Sequence, residues 1–167
     1  MKSVYIEASA LFRAYKEEIG SDVMDYLYEL MESRTVIGFM SQLSVPEILR
    51  GITKRKNQGE IPEDEAQKVI DSILLDVDKR IANDELRILP IKEELIQFIN
   101  RCIRYHNFFV VDAIQFVTAY NSRPTVFLHA DNHFSAKIVK ERMKTIDIWE
   151  KEALKNLDMI VEGDARE

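Results

Sequence analysis

The chain has 167 residues, 46% hydrophobic and 31% charged, with only 5 Gly and 4 Pro; that balance supports one globular domain and excludes a disordered or fibrous chain. Its single cysteine, Cys102, excludes an internal disulfide and a cysteine-held zinc site, and predicts a reducing compartment, the cytoplasm. The net charge of −6 argues against a general nucleic-acid coat, Glu7 interrupts the apolar start so that no signal peptide is read there, and no run approaches the roughly 18 apolar residues of a membrane span.

In chain order, Val4–Ile6 is a β-branched and aromatic strand, and Ser9 precedes Leu11, Phe12, Tyr15 and Ile19 at helical spacing. A second helix starts at Ser21 and Asp22, with Val23, Leu27 and Leu30 on one face, and Thr35–Phe39 reads as the next strand. Ser44–Gly51 reads as a short helix with a Ser44-x-x-Glu47 capping box and a stop at Gly51, followed by a polar, basic link over Lys54–Gly59. Pro62 and Asp64 open a long amphipathic helix carrying Val69, Ile70, Ile73, Leu74 and Val77. Beyond Pro90, one helix holds Ile91, Leu95, Ile99 and Ile103; Asn107 breaks it, and Val111–Tyr120 forms another, so that the middle helices read as a hairpin-like insert. Thr125–Leu128 is a strand, Asn132–Met143 a helix and Thr145–Ile148 a last strand. Residues 1–149 then form the domain, and 150–167 a tail with Leu154, Leu157 and Val161 at helical spacing. Strands separated by helices predict an α/β/α sandwich around a parallel sheet.

In such sheets ligands bind beyond the carboxyl ends of the strands. Glu7 follows the first strand, Glu47 lies in the helix after the second, and Asp131 follows Thr125–Leu128. Asp112, set among Val110, Val111, Ala113 and Ile114, is poorly placed for a purely solvent role.

Four segments carry these acids: V-Y-I-E-A-S-A-L-F-R from Val4, S-x-x-S-V-P-E-I-L-R-G around Glu47, V-D-A-I-Q-F-V-T-A around Asp112 and F-L-H-A-D-N-H-F around Asp131. Their order and spacing resemble the four acidic motifs of PIN domains, nearest to the VapC-type (virulence-associated protein C) toxins of toxin–antitoxin systems. The resemblance implies a PIN-like α/β/α fold and a metal-dependent ribonuclease. In it Glu7, Glu47, Asp112 and Asp131 hold Mg²⁺ or Mn²⁺, and Ser9, two residues after the first acid, supports the site. It also implies an RNA substrate, a small antitoxin protein that blocks the site, and a homodimer. The first motif carries Glu7 where the family has Asp, an extra methylene with about 1.5 Å more reach, and His129 stands where the family carries Thr or Ser.

The chemistry of the residues agrees with that implication. Two carboxylates about 4 Å apart repel by roughly 4 kcal/mol at an effective dielectric near 20, so converging acids need protons or a cation. Hard oxygen ligands suit Mg²⁺ or Mn²⁺, which activate water and stabilise a leaving oxygen in phosphodiester hydrolysis. Each residue also has an ordinary reading: Glu47 closing the capping box, Asp131 and Ser9 capping helices, Asp112 favouring a helix dipole. A PIN-like RNA- or protein-binding module with weakened chemistry is the competing function, with Glu7 as its support. His129-x-Asp131-x-His133 offers a zinc-site reading. Lys54, Arg55, Lys56, Lys137, Lys140, Arg142 and Lys144 offer phosphate contacts, and Phe108 and Phe109 offer base stacking or core packing.

Overall fold

The alternation of strand and helix is realised around a five-stranded, wholly parallel sheet of order β3-β2-β1-β4-β5. This is a computed structural model, which describes residues 1–15, 19–135 and 137–163. The strands are β1 (Lys2–Ile6), β2 (Val36–Ser41), β3 (Leu86–Leu89), β4 (Val126–His129) and β5 (Thr145–Asp147). On β1 and β4, side chains divide by the two-residue period of a strand. Val4, Ile6, Val126 and Leu128 enter one core, whereas Tyr5 and Phe127, paired in register with ring centroids 5.3 Å apart, enter the other.

The first core is roofed by α1 (Ala8–Arg13), α2 (Ser21–Glu32), α3 (Ser44–Asn57) and α4 (Glu63–Ala82), the helices that carry the chain from β1 to β2 to β3. The chain then doubles back past β1 to β4. Right-handed crossovers demand that the connection now lie on the opposite face, and α5 (Ile96–His106) and α6 (Val110–Ser122) do so, covering Tyr5 and Phe127. Beyond β4, α7 (Lys137–Arg142) adds Val139 to this second core, and α8 (Ala153–Glu162) returns to the first through Ala153, Leu157 and Val161. The result is the three-layer α/β/α arrangement expected of the sequence. Among the described residues no helix is long and apolar enough to cross a membrane.

Several sequence expectations are corrected. Residues Leu86–Leu89 form β3, an edge strand between α4 and α5, so the middle helices are successive crossovers and not an insert. Gly51 does not stop α3, which runs on through Lys54, Arg55 and Lys56 to Asn57 because Ile52, 2% exposed, packs into the core. The helix expected over Asn132–Met143 is a 3-10 turn at Asn132–Ser135 followed by the shorter α7. The opening helix ends at Arg13, and the segment 16–18 expected to extend it lies outside the described residues, as does the chain end 164–167.

Candidate active site

The order in which the sheet is built reverses between β1 and β4, and the crevice beyond the carboxyl ends of two such strands is where α/β sheets take their ligands. Glu7 and Asp131 flank that crevice, where the Glu7 amide donates to the Leu128 carbonyl of β4 at 3.0 Å. Glu47, from the first turn of α3, and Asp112, from the first turn of α6, approach from opposite faces of the sheet. Three of the four acids are acted on electrostatically by others of the set: Glu7 by Glu47 and Asp131, Glu47 by Asp112 and Asp131, and Asp112 by Asp131. Folding therefore gathers all four sequence-derived carboxyls into one neighbourhood.

Glu7 is 3% exposed. Burial, opposed by hydrogen bonds from Ser9 and assisted by Glu47 and Asp131, pushes its carboxyl up to about 8. Its Oε2 accepts the Ser9 amide at 2.8 Å, which caps α1, and also the Ser9 hydroxyl. That hydroxyl in turn accepts the Ala130 amide at 2.9 Å. Ser9 thus ties the end of β1 to the end of β4 and holds Glu7.

At Glu47 the capping box does not form. The N-cap of α3 is Leu43, with no side-chain cap, and both box residues turn inward to Gln115. The Gln115 amide donates to Glu47 Oε2 at 3.1 Å and to Ser44 Oγ at 3.2 Å, while its carbonyl accepts the Tyr5 hydroxyl at 2.7 Å. Burial raises Glu47, the Gln115 bond lowers it, and Asp112 and Asp131 raise it further. Gln115 is fully buried and was missed in the sequence, although its signal was there: a polar residue in an apolar helical run, three positions beyond Asp112 and hence on the same face.

Asp112 is raised by burial and then by Asp131, with His133 acting the other way, and its Oδ2 is buried with no hydrogen-bond partner among the described residues. A dipole-favouring residue at a helix start has no need of an orphaned oxygen. Asp131 does cap its 3-10 turn, accepting the His133 amide at 2.8 Å.

The donor set is all carboxylate, mutually repelling, with an unsatisfied oxygen facing no protein donor, and its chemistry suits a hard divalent cation. As the side chains stand, however, no three His, Cys, Asp or Glu among the described residues are close enough together to hold a metal ion. Gathering them about one requires side-chain rotation. The zinc reading finds no support. His129 is 1% exposed and packs against the rings of Phe127 and Phe134, while His133 is exposed and meets the Phe109 ring edge-on. Burial lowers the His129 imidazole, with Asp147 and the Asp131 backbone acting the other way.

Of the basic candidates, Arg55 stacks on Phe12 at 5.5 Å and lines, with Ser9, Glu47 and Gly51, a cavity of about 180 Å³ beside the acids. Lys56 pairs with Glu63 at 3.3 Å, and Arg142 donates to the Tyr120 hydroxyl. Lys54, Lys140 and Lys144 are exposed, and the side chain of Lys137 lies outside the described residues.

No family model and no curated protein matches the sequence. Among solved structures, the chain is similar to one in the crystal structure of VapBC2 from Rickettsia felis bound to a DNA fragment from their promoter. The TM-score is 0.56 at 11% sequence identity, over 86% of this chain and 96% of that one. A likeness at this identity is one of fold, and it supports the PIN-like architecture.

Proposed function

We propose that this protein is a Mg²⁺- or Mn²⁺-dependent endoribonuclease that hydrolyses RNA phosphodiester bonds, the toxin of a toxin–antitoxin pair. The observation that carries the reading is that four acids from four separate segments lie near the carboxyl ends of the parallel strands, close enough to act on one another electrostatically, with the Asp112 Oδ2 buried and, among the described residues, unpartnered. Glu7, Glu47, Asp112 and Asp131 would hold the ion. When bound, it neutralises their repulsion, lowers the pKa of water and stabilises the leaving oxygen. Ser9 steadies Glu7, and Gln115 fixes the rotamer of Glu47 by donating to one of its oxygens, leaving the other for coordination. Glu7, held up to about 8, would keep its proton near neutral pH until a cation bound beside it. An antitoxin partner is supported by the motif resemblance and by the fold shared with a chain of the VapBC2 complex; a homodimer rests on the resemblance, and cytoplasmic residence on the single cysteine.

The weakened binding module is the second reading, and its support is that Glu7 caps α1 through Ser9 while no three ligands converge. Labelled single-stranded RNA incubated with Mg²⁺, Mn²⁺ or chelator separates the two. Metal-dependent cleavage lost in Asp112→Asn supports the nuclease. RNA binding without cleavage under either metal supports the module. Glu7→Asp gauges the departure at the first motif, a large gain in rate marking the native site as compromised.

A further inference from the structure

Phe108 and Phe109 are adjacent, yet they do opposite things. Phe108 is 7% exposed and stacks on Phe116 in the second core; Phe109 is 66% exposed. Phe109 is the N-cap residue of α6, its carbonyl accepting the Ala113 amide at 2.9 Å, so its backbone is fixed three residues before Asp112. Its ring is held from the side by His133, edge-on at 5.2 Å and 87°, and His133 is itself anchored by the bond from its amide to Asp131 Oδ1. The same imidazole acts electrostatically on Asp112. The two rings therefore bridge the segments that carry Asp112 and Asp131, at the rim of the acid cluster.

We infer that Phe109 is a stacking platform for a nucleobase next to the cleaved phosphodiester of single-stranded RNA, with His133 as the positioning residue that braces its ring. This rests on the ribonuclease reading and adds to it the strandedness of the substrate. The shape of the feature selects the occupant. An aliphatic peptide side chain is bound by enclosure, whereas Phe109 presents a largely exposed ring; a planar base needs only one flat face. A phosphodiester brought to the acids carries a base on either side of it. That base is free to leave its neighbours and stack on protein in a single strand, whereas in a duplex both of its faces are already covered. Stacking is tolerant of base identity, so the platform sets strandedness and register and leaves base choice to other contacts.

The test uses the full chain and a fluorescein-labelled oligoribonucleotide. Anisotropy under Ca²⁺ reads affinity, and cleavage under Mn²⁺ reads kcat and KM. Phe109→Ala should weaken binding and raise KM about tenfold, with kcat changed less than threefold; Phe109→Trp should restore both, and His133→Ala should give a smaller rise in KM. An abasic nucleotide scanned along the oligonucleotide should weaken wild type at one position beside the cleaved bond and leave Phe109→Ala no weaker there. Binding that depends on Phe109 without any cleavage overturns the nuclease reading and keeps the platform. Cleavage and binding unchanged in Phe109→Ala overturn the platform and keep the nuclease. The same holds if the variant instead loses only a protein partner, or if duplex RNA is bound as well as single-stranded RNA. Absence of RNA binding by wild type overturns both.

Discussion

Two clusters of acids are built into this fold, and they are compensated in different ways. Around α4, Asp76, Glu85 and Glu32 surround Arg80, whose side chain is 7% exposed and lies 3.1, 3.0 and 3.4 Å from them. Its guanidinium sits over the Tyr28 ring at 3.6 Å, and the Tyr15 hydroxyl donates to Asp76 at 2.6 Å. Burial works against the charge on Arg80, but Asp76, Tyr28 and Glu85 outweigh it and hold the group above its ordinary value. At the strand ends, among the described residues, none of the ion pairs includes Glu7, Glu47, Asp112 or Asp131. Three of those four carboxyls are pushed upward. The first cluster carries its own cation and is structural. At the second, Arg50 acts on Glu47 and His133 on Asp112 without outweighing burial and mutual repulsion, a balance that leaves room for a cation from solution.

The contrast can be broken at either end. Replacing Arg80 with Met strands the buried Glu85 and the half-buried Asp76, and should lower unfolding free energy by about 3–5 kcal/mol in urea titration. Asp112→Asn should cost little stability or add some; a loss as large as that at Arg80 would remove the distinction between the clusters.

Glu7 provides the next largest effect. Its carboxyl rises from 4.5 in the unfolded chain to about 8 in the fold, so between those values the native state holds a proton that the unfolded state has lost. Metal-free stability should therefore fall as pH rises from 4.5 to about 8, on the order of a few kcal/mol from this group, and level off above. Denaturant titrations across that range should show the slope in wild type and its reduction in Glu7→Gln. Equal slopes would mean that Glu7 is ionised and paired in the fold.

The smallest effect separates stability from chemistry within the site. Gln115→Leu removes the acceptor of the buried Tyr5 hydroxyl, at a cost of about 1–3 kcal/mol, and also releases Glu47. Adding Tyr5→Phe should recover most of the stability and none of the lost cleavage rate. Recovery of both would make Gln115 a packing residue only.

Local pattern reaches far into this molecule but stops where tertiary contacts decide. The strand-helix alternation and the parallel sheet were legible, because Val4–Ile6 and Thr125–Leu128 are short apolar runs bounded by turns and helical periods. Strand β3 was hidden by its edge position: Arg87 and Ile88 face solvent, and Pro90 draws the eye as a helix boundary. The Ser44-x-x-Glu47 spacing fits a capping box, and only the arrival of Gln115 from α6 gives those side chains better partners. The four acids could be picked out because polar residues at strand ends and in an apolar helix stand out from their surroundings. Their convergence depends on which way the chain crosses the sheet, and that is a property of topology.

Thermal unfolding of the full chain titrated with Mn²⁺ at neutral pH, beside Asp112→Asn, tests the need for an external cation most directly. Binding to the folded state alone should stabilise wild type by about 2.7 kcal/mol at a hundred times the dissociation constant, and the variant far less. Identical melting of wild type with and without Mn²⁺ or Mg²⁺ would show that protons alone settle the charge at the strand ends, and would contradict the account.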